Sequence, residues 1–363
     1  MNSPSGGVSP NHAFVVGLGL IGSSVGFSLR AQGWHVSGID IDCSRAERAL
    51  ELGAIDRIGE DVYADVAFIA TPVASIAGVA KSFLGSAQNE DVTVTDVGSV
   101  KAAIVKCVDD PRFVGGHPLA GSEQEGPDGA GADIFVGSTW VLTPTACTDP
   151  AAFARISALV SSFGSEVVAL DPARHDALVA VISHLPHLTA ANLMVLASDA
   201  LVDRAVLLRL AAGGFRDMTR IAAGDPTIWP DIFRDNKAAV LEVLDDLLAR
   251  LTEARRMVDS DDRDALVEVL DRAKSARRNL PPRVARPEEL VELRVPVLDR
   301  PGTLAEVTTV LGELGVNIFD LEIAHSAEGP RGVLVLSIDA ASSDEARGAL
   351  TKLGYRPATR RLG

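Results

Sequence analysis

The stretch VVGLGLIGSS, Val15–Ser24, decides the fold class of this chain. Its glycines, Gly17, Gly19 and Gly22, follow an apolar run with strand character and open an amphipathic run. Glycines at the spacing G-x-G-x-x-G permit a tight turn and let an anion approach the N–H groups at the start of a helix. The pattern predicts a strand–turn–helix unit with an anion site at the turn. The alternative is a glycine-rich turn in an α/β domain that holds no cofactor.

A carboxylate at the end of the next predicted strand indicates which ligand this turn binds. Asp40 ends the run HVSGID, where it can accept hydrogen bonds from an adenosine ribose and repel a 2′-phosphate. This favours NAD over NADP, with the nearby Arg45 as the one opposing feature. We expect NAD to be bound by a set of residues around the turn: Gly17, Gly19, Leu20, Ile21, Gly22, Asp40 and Thr71.

The predicted secondary-structure pattern changes twice along the chain. From residue 12 to about 170, strand-like runs alternate with helical patterns, as in a parallel sheet covered on both faces. Helical periodicity alone continues to about residue 278, and NLPPRVARPEE then reads as a linker. The fold class is therefore α/β, with a Rossmann-like dinucleotide-binding domain at 12–171 and an all-α dimerisation and substrate domain at 172–279. A linker at 280–288 leads to a ferredoxin-like βαββαβ domain at 289–360.

Composition excludes several classes of protein. The net charge is −15 and the pI about 4.9, which argues against nucleic acid or an anionic membrane as a general partner. Cys43, Cys107 and Cys147 form no CxxC pattern, so we interpret them as small core residues in a reducing compartment. The N-terminus resembles no signal peptide. We see no uncharged apolar run near ~18 residues and expect no membrane span. The predicted location is the cytoplasm.

The stretch FVGGHPLAGSEQEG, Phe113–Gly126, surrounds His117 with glycines. Glycine suits backbone that takes unusual angles or approaches something closely. We interpret the stretch as a loop that aims an imidazole at a substrate, and the alternative is a turn that happens to hold a histidine. In TDVGSVK, Ser99 follows a predicted strand, and its alternative role is to cap the next helix.

Two further motifs carry histidine and arginine. SHLPH places His184 and His187 on one helix face, but no further ligand accompanies them, so we predict no metal site. GGFRDMTRIAAGDPTIW combines Arg220 with glycines and apolar residues, which suits a carboxylate clamp. The alternative is an ion pair of Arg220 with Asp217 or Asp225.

Together, GLGLIGSS, TDVGSVK, GGHPLAGSE, SHLPH and GGFRDMTRIAAGDPTIW resemble the prephenate/arogenate dehydrogenase family of tyrosine biosynthesis. The resemblance covers about residues 12–275, with the motifs in the family's order. The C-terminal VLDRPGTLAEVTTVLGELGVNI looks like an ACT domain, a small amino-acid-sensing module that some members carry.

The resemblance implies an NAD-dependent oxidative decarboxylation of prephenate and a role for each motif. His117 matches the catalytic base, and Ser99 matches a residue that helps to fix its imidazole. Arg220 is assigned to the ring carboxylate and His187 to the pyruvyl side chain. Three less specific assignments complete the substrate site: the backbone after Ser183, Glu123 as a gate, and Trp229, contributed across a dimer interface.

The sequence does not decide whether the substrate is prephenate or arogenate, which differ in a keto or an amino group on the side chain. The second histidine of SHLPH favours the keto acid, since the amino group of arogenate would prefer an acidic partner. Two rival functions are a hydroxyacid or imino-acid reductase and a non-catalytic sensor of NAD and amino acids. His117, Ser99 and Arg220 argue against both.

The ACT-like segment predicts an effector site. Its turn residues are Asp299, Pro301, Gly302, Asn317 and Ile318, and we expect both turns at one end of the small sheet. The helix N-terminus suits a carboxylate, and the resemblance implies L-tyrosine as feedback inhibitor. A domain that only dimerises is the alternative.

Overall fold

The computed structural model describes residues 11–120, 124, 126–199, 211, 213–278, 290–298, 300–325 and 331–361. Contacts divide the chain into two compact units. The first comprises residues 1–198 and 219–249, and the second residues 199–218 and 250–363.

The first unit is built on an eight-stranded sheet in the order β3-β2-β1-β4-β5-β6-β7-β8. Its strands in chain order are β1 (His12–Val16), β2 (His35–Ile39), β3 (Arg57–Ile58), β4 (Val66–Ile69), β5 (Thr93–Asp96), β6 (Phe113–Leu119), β7 (Thr139–Thr143) and β8 (Glu166–Ala169). Chain order reverses direction at β1, between β2 and β4, which is the switch point where parallel sheets bind ligands.

The sheet departs from the predicted parallel arrangement at one pair. β6 and β7 run antiparallel, with His117 opposite Val141, whereas every other described neighbour in this sheet is parallel. The prediction of an α/β sheet is confirmed, with this one reversal.

Helices cover both faces of the sheet. They are α1 (Leu20–Ala31), α2 (Cys43–Leu52), α3 (Val73–Ser86), α4 (Ala102–Val108) and α5 (Pro150–Ser162). Alternate residues of β1 enter different cores: Ala13 and Val15 pack on the side of α1 and α5, and Phe14 and Val16 on the side of α3 and α4. A strand buried on both faces explains the unbroken apolar run in the sequence.

A mainly helical region follows the sheet. Its helices are α6 (Pro172–Val179), α7 (Leu185–Asp199), α8 (Gly213–Thr219), α9 (Trp229–Asp235), α10 (Lys237–Asp259) and α11 (Arg263–Arg278). A single wide π turn, Ala180–His184, joins α6 to α7. Asp171 caps α6 through the N–H groups of Ala173 and Arg174, which explains why the helix starts there.

The continuous helical stretch Pro172–Asp199 corrects one expectation. It is 28 residues long and apolar enough, by length and composition alone, to cross a membrane. The expectation that the chain has no such run is therefore wrong. Little of this apolar stretch is buried in the single chain, and Ile182 and Leu196 are 61% and 71% exposed.

The second unit contains an antiparallel sheet in the order β10-β11-β9-β12. Its elements are β9 (Leu290–Leu298), α12 (Thr303–Glu313), β10 (Ile318–His325), β11 (Arg331–Asp339), α13 (Ser343–Lys352) and β12 (Ala358–Arg361). This confirms the predicted βαββαβ order. The proposed linker at 280–288 lies outside the described residues.

The expectation that both effector turns share one end of this sheet is wrong. Ile318 pairs with Ile338, which pairs with Val291 near the start of β9, whereas Leu298 at the end of β9 pairs with Arg331. β9 and β10 therefore run parallel, and the helix between them carries the chain back. The turn before α12 and the turn before β10 lie at opposite ends.

The three cysteines correct another interpretation. Cys43, Cys107 and Cys147 are free, but each is exposed and none belongs to a core. Cys43 and Cys107 lie on the outer faces of α2 and α4, which composition alone does not distinguish from the inner faces.

Candidate active site

The three glycines of the first turn have different physical roles. Gly17 has φ +93°, and a Cβ there would lie 2.4 Å from the carbonyl oxygen of Ala70. A Cβ on Gly22 would lie 1.8 Å from the Gly17 oxygen, so this glycine lets α1 pack directly on the turn. A Cβ on Gly19 meets nothing within 4 Å and faces open space. The turn therefore leaves room for a ligand above Gly19.

Two features of the turn fit a dinucleotide. The described residues supply no side-chain cap for α1, so the N–H groups at Leu20 and Ile21 remain available to a pyrophosphate. Thr71, just after β4, has a buried hydroxyl with no hydrogen-bond partner among the described residues. A polar atom in that position is expected where a ligand supplies the partner.

Asp40 fixes the glycine turn through backbone hydrogen bonds. Its Oδ2 accepts a hydrogen bond of 2.7 Å from the N–H of Leu18, and its Oδ1 accepts one of 2.9 Å from Asp42. Arg45 approaches Oδ1 at 3.4 Å from the exposed side. The carboxylate is thus held in place with its charge only partly compensated.

His117 lies in strand β6, which corrects the interpretation of its surroundings as a loop. Thr95 of β5 pairs with Val114, so His117 lies beyond Asp96, the last residue of β5. Gly17 and Thr71 follow β1 and β4 at this same carboxyl edge of the sheet. The predicted cofactor residues and the predicted base therefore share one edge.

The two glycines before His117 allow close packing rather than unusual backbone angles. A Cβ on Gly115 would lie 2.3 Å from Thr143 Oγ1, and one on Gly116 would lie 2.5 Å from the Asp96 carbonyl oxygen. Neither glycine has a positive φ. The strand is seated tightly on its neighbours just before the imidazole.

A buried ion pair that the sequence analysis did not predict holds strand β6 at Gly116. Lys101 and Asp96 have no exposed side-chain surface, and their charged groups are in contact. Lys101 Nζ also donates to the Gly116 carbonyl at 2.8 Å, and Asp96 Oδ1 accepts from the Gly116 N–H at 3.1 Å. Both residues belong to TDVGSVK, so the motif was recognised but not this role.

The His117 imidazole is hydrogen-bonded to a histidine that the sequence analysis did not single out. His117 Nδ1 lies 2.8 Å from His175 Nε2, and His175 Nδ1 lies 2.8 Å from Asp176 Oδ1. A hydrogen bond between Ser99 and His117, which the resemblance implied, is not present among the described residues. Ser99 is half-buried in the turn after β5.

The surroundings of His117 keep its imidazole neutral. Burial is the main cause that lowers its pKa well below 6.5, and the neighbours His175, Lys101 and His184 act in the same direction. A neutral imidazole is the form that accepts a proton.

The two histidines of SHLPH have separate surroundings. His184 is buried, with Nδ1 3.1 Å from Asn236 Nδ2, and burial lowers its pKa to about 4. His187 stacks on Trp229 with the ring centroids 3.6 Å apart. His184 is therefore part of the internal packing, and the substrate role of His187 stays a prediction.

The turn that begins with the predicted substrate arginine ends near His187. Arg220 opens a tight turn, Arg220–Ala223, and a Cβ on Gly224 at its end would lie 4.0 Å from His187 Cε1. Trp229 belongs to the same compact unit as His187, so the stack forms within one chain. Ser183 is exposed, and Glu123 lies outside the described residues.

The predicted effector residues belong to the second unit. Gly302 precedes α12 with φ +90°, and Pro301, Gly302 and Asn317 are exposed, with Ile318 at the start of β10. Asp299 lies outside the described residues. Because the two turns lie at opposite ends of the sheet, one copy of it does not bring these residues together.

Family models match three consecutive parts of the chain. Residues 25–169 match "Prephenate dehydrogenase, nucleotide-binding domain", and residues 171–272 match "Prephenate dehydrogenase, dimerization domain". Residues 291–355 match the ACT domain.

Similar proteins are known from sequence and from structure. A prephenate dehydrogenase of Bacillus subtilis is 34% identical over 337 residues, which span 89% of this chain and 91% of the relative. A crystal structure of prephenate dehydrogenase from A. aeolicus, in complex with hydroxyphenyl propionate and NAD+, is 32% identical with a TM-score of 0.70. It covers 76% of this chain and 99% of its own. Synechocystis arogenate dehydrogenase is also 32% identical, with a TM-score of 0.65 over 73% and 98% of the two chains.

Proposed function

Because the chain belongs to the prephenate dehydrogenase family of NAD-dependent oxidoreductases, we propose that it converts prephenate to 4-hydroxyphenylpyruvate in tyrosine biosynthesis. The observation that carries the proposal is the place of His117. This neutral imidazole lies at the carboxyl edge of the sheet that also carries the glycine turn. A base at that edge is what oxidation of a hydroxyl beside a dinucleotide needs.

The reaction moves a hydride from the carbon of a C–OH group to the cofactor, while the hydroxyl proton moves to the base. The ring carboxylate leaves as CO₂, the electron pair of the broken C–C bond makes the ring aromatic, and the phenolate oxygen takes a proton back from the base. Bound NAD supplies the hydride acceptor. His117 takes the hydroxyl proton at Nε2, the ring nitrogen that does not face His175. The strand beneath it is held by the Lys101–Asp96 pair, which limits the movement of the imidazole. Fixed placement of a base can contribute many orders of magnitude in rate.

The helical side of the site supplies groups for a dianionic substrate. We assign the ring carboxylate to Arg220 and the pyruvyl side chain to His187. A Cβ on Gly224, just after the turn that Arg220 begins, would lie 4.0 Å from His187 Cε1, which supports placing both groups in one substrate site. Burial lowers the pKa of His187, so its ring presents a neutral hydrogen-bonding group. A keto group suits this partner, whereas the ammonium of arogenate would prefer a carboxylate.

Arogenate is the second candidate substrate, because Synechocystis arogenate dehydrogenase is as similar in sequence as the A. aeolicus prephenate enzyme. The test is NADH formation by the purified protein with prephenate and arogenate side by side. A higher kcat/KM with prephenate is expected. Preference for arogenate would overturn the substrate assignment, and no NADH with either would favour a non-catalytic sensor.

We also propose that the protein is a cytoplasmic homodimer whose subunits meet on the apolar stretch Pro172–Asp199. The match of residues 171–272 to a dimerisation domain and the exposure of Ile182 and Leu196 support this partner over a membrane. Leu196→Asp is expected to shift the protein towards monomer in light scattering. Tyr63→Asp, a change at an exposed residue of the sheet unit, is the matched control. A monomeric unaltered protein would contradict the proposal.

For the ACT domain we propose feedback inhibition by L-tyrosine. Pro301 and Gly302 of one copy and Asn317 of another can share a ligand only where two such sheets meet, since they lie at opposite ends of one sheet. Deleting residues 287–363 is expected to leave an active enzyme that tyrosine no longer inhibits allosterically. Equal inhibition of both forms, or no binding of tyrosine to the full chain, would refute this regulation.

A further inference from the structure

Three side chains form a hydrogen-bonded chain that ends at His117. Asp176 and His175 lie on α6, and His117 lies on β6. The two contacts, Asp176 Oδ1 to His175 Nδ1 and His175 Nε2 to His117 Nδ1, are both 2.8 Å. His175 and Asp176 are 1% and 5% exposed, so little water competes for these bonds.

The direction of hydrogen bonding is fixed at the Asp176 end. Asp176 Oδ1 also accepts from the Lys101 N–H at 2.8 Å, and Oδ2 accepts from the Ala102 N–H at 2.9 Å. Backbone N–H groups only donate, and an ionised carboxylate only accepts. His175 must therefore donate to Asp176 from Nδ1.

The hydrogen bond between Asp176 and His175 also sets the direction of the hydrogen bond between His175 and His117. A neutral imidazole carries one proton, so His175 with its proton on Nδ1 has an accepting Nε2. His117 must then donate from Nδ1, which leaves its Nε2 without a proton. Nε2 is on the edge of the ring away from His175, whose ring meets that of His117 edge to face at 75°.

We propose that His175 and Asp176 are positioning residues that hold His117 in its Nδ1–H tautomer, so that Nε2 is the proton acceptor. The proposal rests on the proposed function, in which His117 is the base. A histidine in water favours the other tautomer, with the proton on Nε2. Without His175, much of the enzyme would present an N–H to the substrate hydroxyl instead of a lone pair.

The same hydrogen bonds also stabilise His117 after it has taken the hydroxyl proton. When Nε2 takes the hydroxyl proton, Nδ1–H continues to donate to His175, so the ring need not turn. The acceptor at His175 Nε2 is polarised by the Asp176 carboxylate, which favours the cationic form of His117 at that step.

The tautomer can be measured without any turnover. Nitrogen-15 NMR on the full chain with labelled histidine resolves protonated from bare ring nitrogens, and single-histidine variants assign the seven residues. We expect a protonated Nδ1 and a bare Nε2 for His117, and an increased fraction of Nε2–H in His175→Phe. A protonated Nε2 in the unaltered protein, or a His175 that is protonated on both nitrogens, would overturn the proposal.

Kinetics provide the second test. His175→Phe is expected to lower kcat about a hundredfold with little change in KM for either substrate, since a base in the wrong tautomer loses activity on this order or more. His175→Gln places an acceptor near the Nε2 position and should recover part of the loss. His35→Phe, at a half-buried histidine of β2 that lies outside the proposed site, is the matched control.

The outcomes separate this proposal from the proposed function. Equal losses in the Phe and Gln variants, with NAD binding and melting temperature unchanged, would show that the acceptor is not what matters and would refute the positioning role. If the unaltered protein shows the expected tautomer but oxidises neither prephenate nor arogenate, the proposed function fails while the tautomer assignment stands.

Discussion

The imidazole of His187 lies flat on the indole of Trp229, with the ring centroids 3.6 Å apart and the planes at 14°. His187 belongs to the first turn of α7, and Trp229 begins α9. The stack fixes the orientation of the His187 imidazole, the group assigned to the pyruvyl side chain. His187 Cε1 would lie 4.0 Å from a Cβ on Gly224, just after the turn that Arg220 begins.

Replacing this indole should weaken substrate binding. Trp229→Ala is expected to raise the KM for prephenate about tenfold, because stacking of an aromatic pair contributes ~0.5–1.5 kcal/mol beyond its buried area. Trp229→Phe retains a ring and should have a smaller effect. Initial rates at saturating NAD measure both, and equal KM values in the two variants would contradict the stacking argument.

Removing the base should affect turnover and not cofactor binding. In His117→Asn the amide retains a donor for His175 but offers no basic nitrogen, so kcat should fall by about two to four orders of magnitude. Calorimetric titration with NAD should give an unchanged Kd. Near-normal turnover would remove His117 from its assigned role.

The arginine at the start of the turn beside Gly224 should matter for the substrate alone. Arg220→Ala is expected to raise the KM for prephenate about 10- to 100-fold, as for a lost charge-assisted hydrogen bond of ~1.5–3 kcal/mol. The KM for NAD should change little. Arg234→Ala, an exposed arginine paired with Asp231 and Asp235 on α9, is the control. Matching values in the two variants would assign Arg220 to a structural ion pair.

Asp40 should determine cofactor choice, and two substitutions separate its two roles. Asp40→Asn keeps an oxygen for the Leu18 N–H and removes the charge that repels a 2′-phosphate. It should lower the preference for NAD over NADP with the turn intact. Asp40→Ser shortens the side chain and should weaken NAD further. A kcat/KM ratio for the two cofactors unchanged in both variants would place ribose recognition elsewhere.

The pH dependence of kcat/KM should show an acid limb below the usual histidine range. Burial, His175 on α6, Lys101 before α4 and His184 after α6 lower the pKa of His117 well below 6.5. The neutral form is the active one, so activity should persist as the pH falls through 6.5 and decline only at lower pH. A limb at or above 6.5, measured at saturating NAD, would show that the imidazole is not shielded in this way.

The part of the site that depends on local pattern could be predicted from sequence. The spacing of Gly17, Gly19 and Gly22, between a strand-like run and a helical run, is enough to predict the glycine turn. The sequence also predicts His117 as the base, but the two glycines before it favour a loop, because glycine has a low strand propensity. Tertiary packing against Thr143 and Asp96 decides otherwise.

The rest depends on contacts between distant residues. His175 lies 58 positions from His117, and nothing in PARHDALV states that its histidine and aspartate face β6. An adjacent His–Asp pair at a helix start was the available signal. The error about the effector turns was avoidable, since a helix joining two parallel strands necessarily puts its two turns at opposite ends.

The tight seat of Gly115 and Gly116 has a consequence for protein engineering. Carbonyl and hydroxyl oxygens of neighbouring strands occupy the places where side chains at these positions would go. Substitutions of Gly115 or Gly116 are therefore unsuitable for changing the substrate range of the enzyme. Libraries should instead be directed to Gly224 and the exposed residues Pro226–Ile228 that follow it.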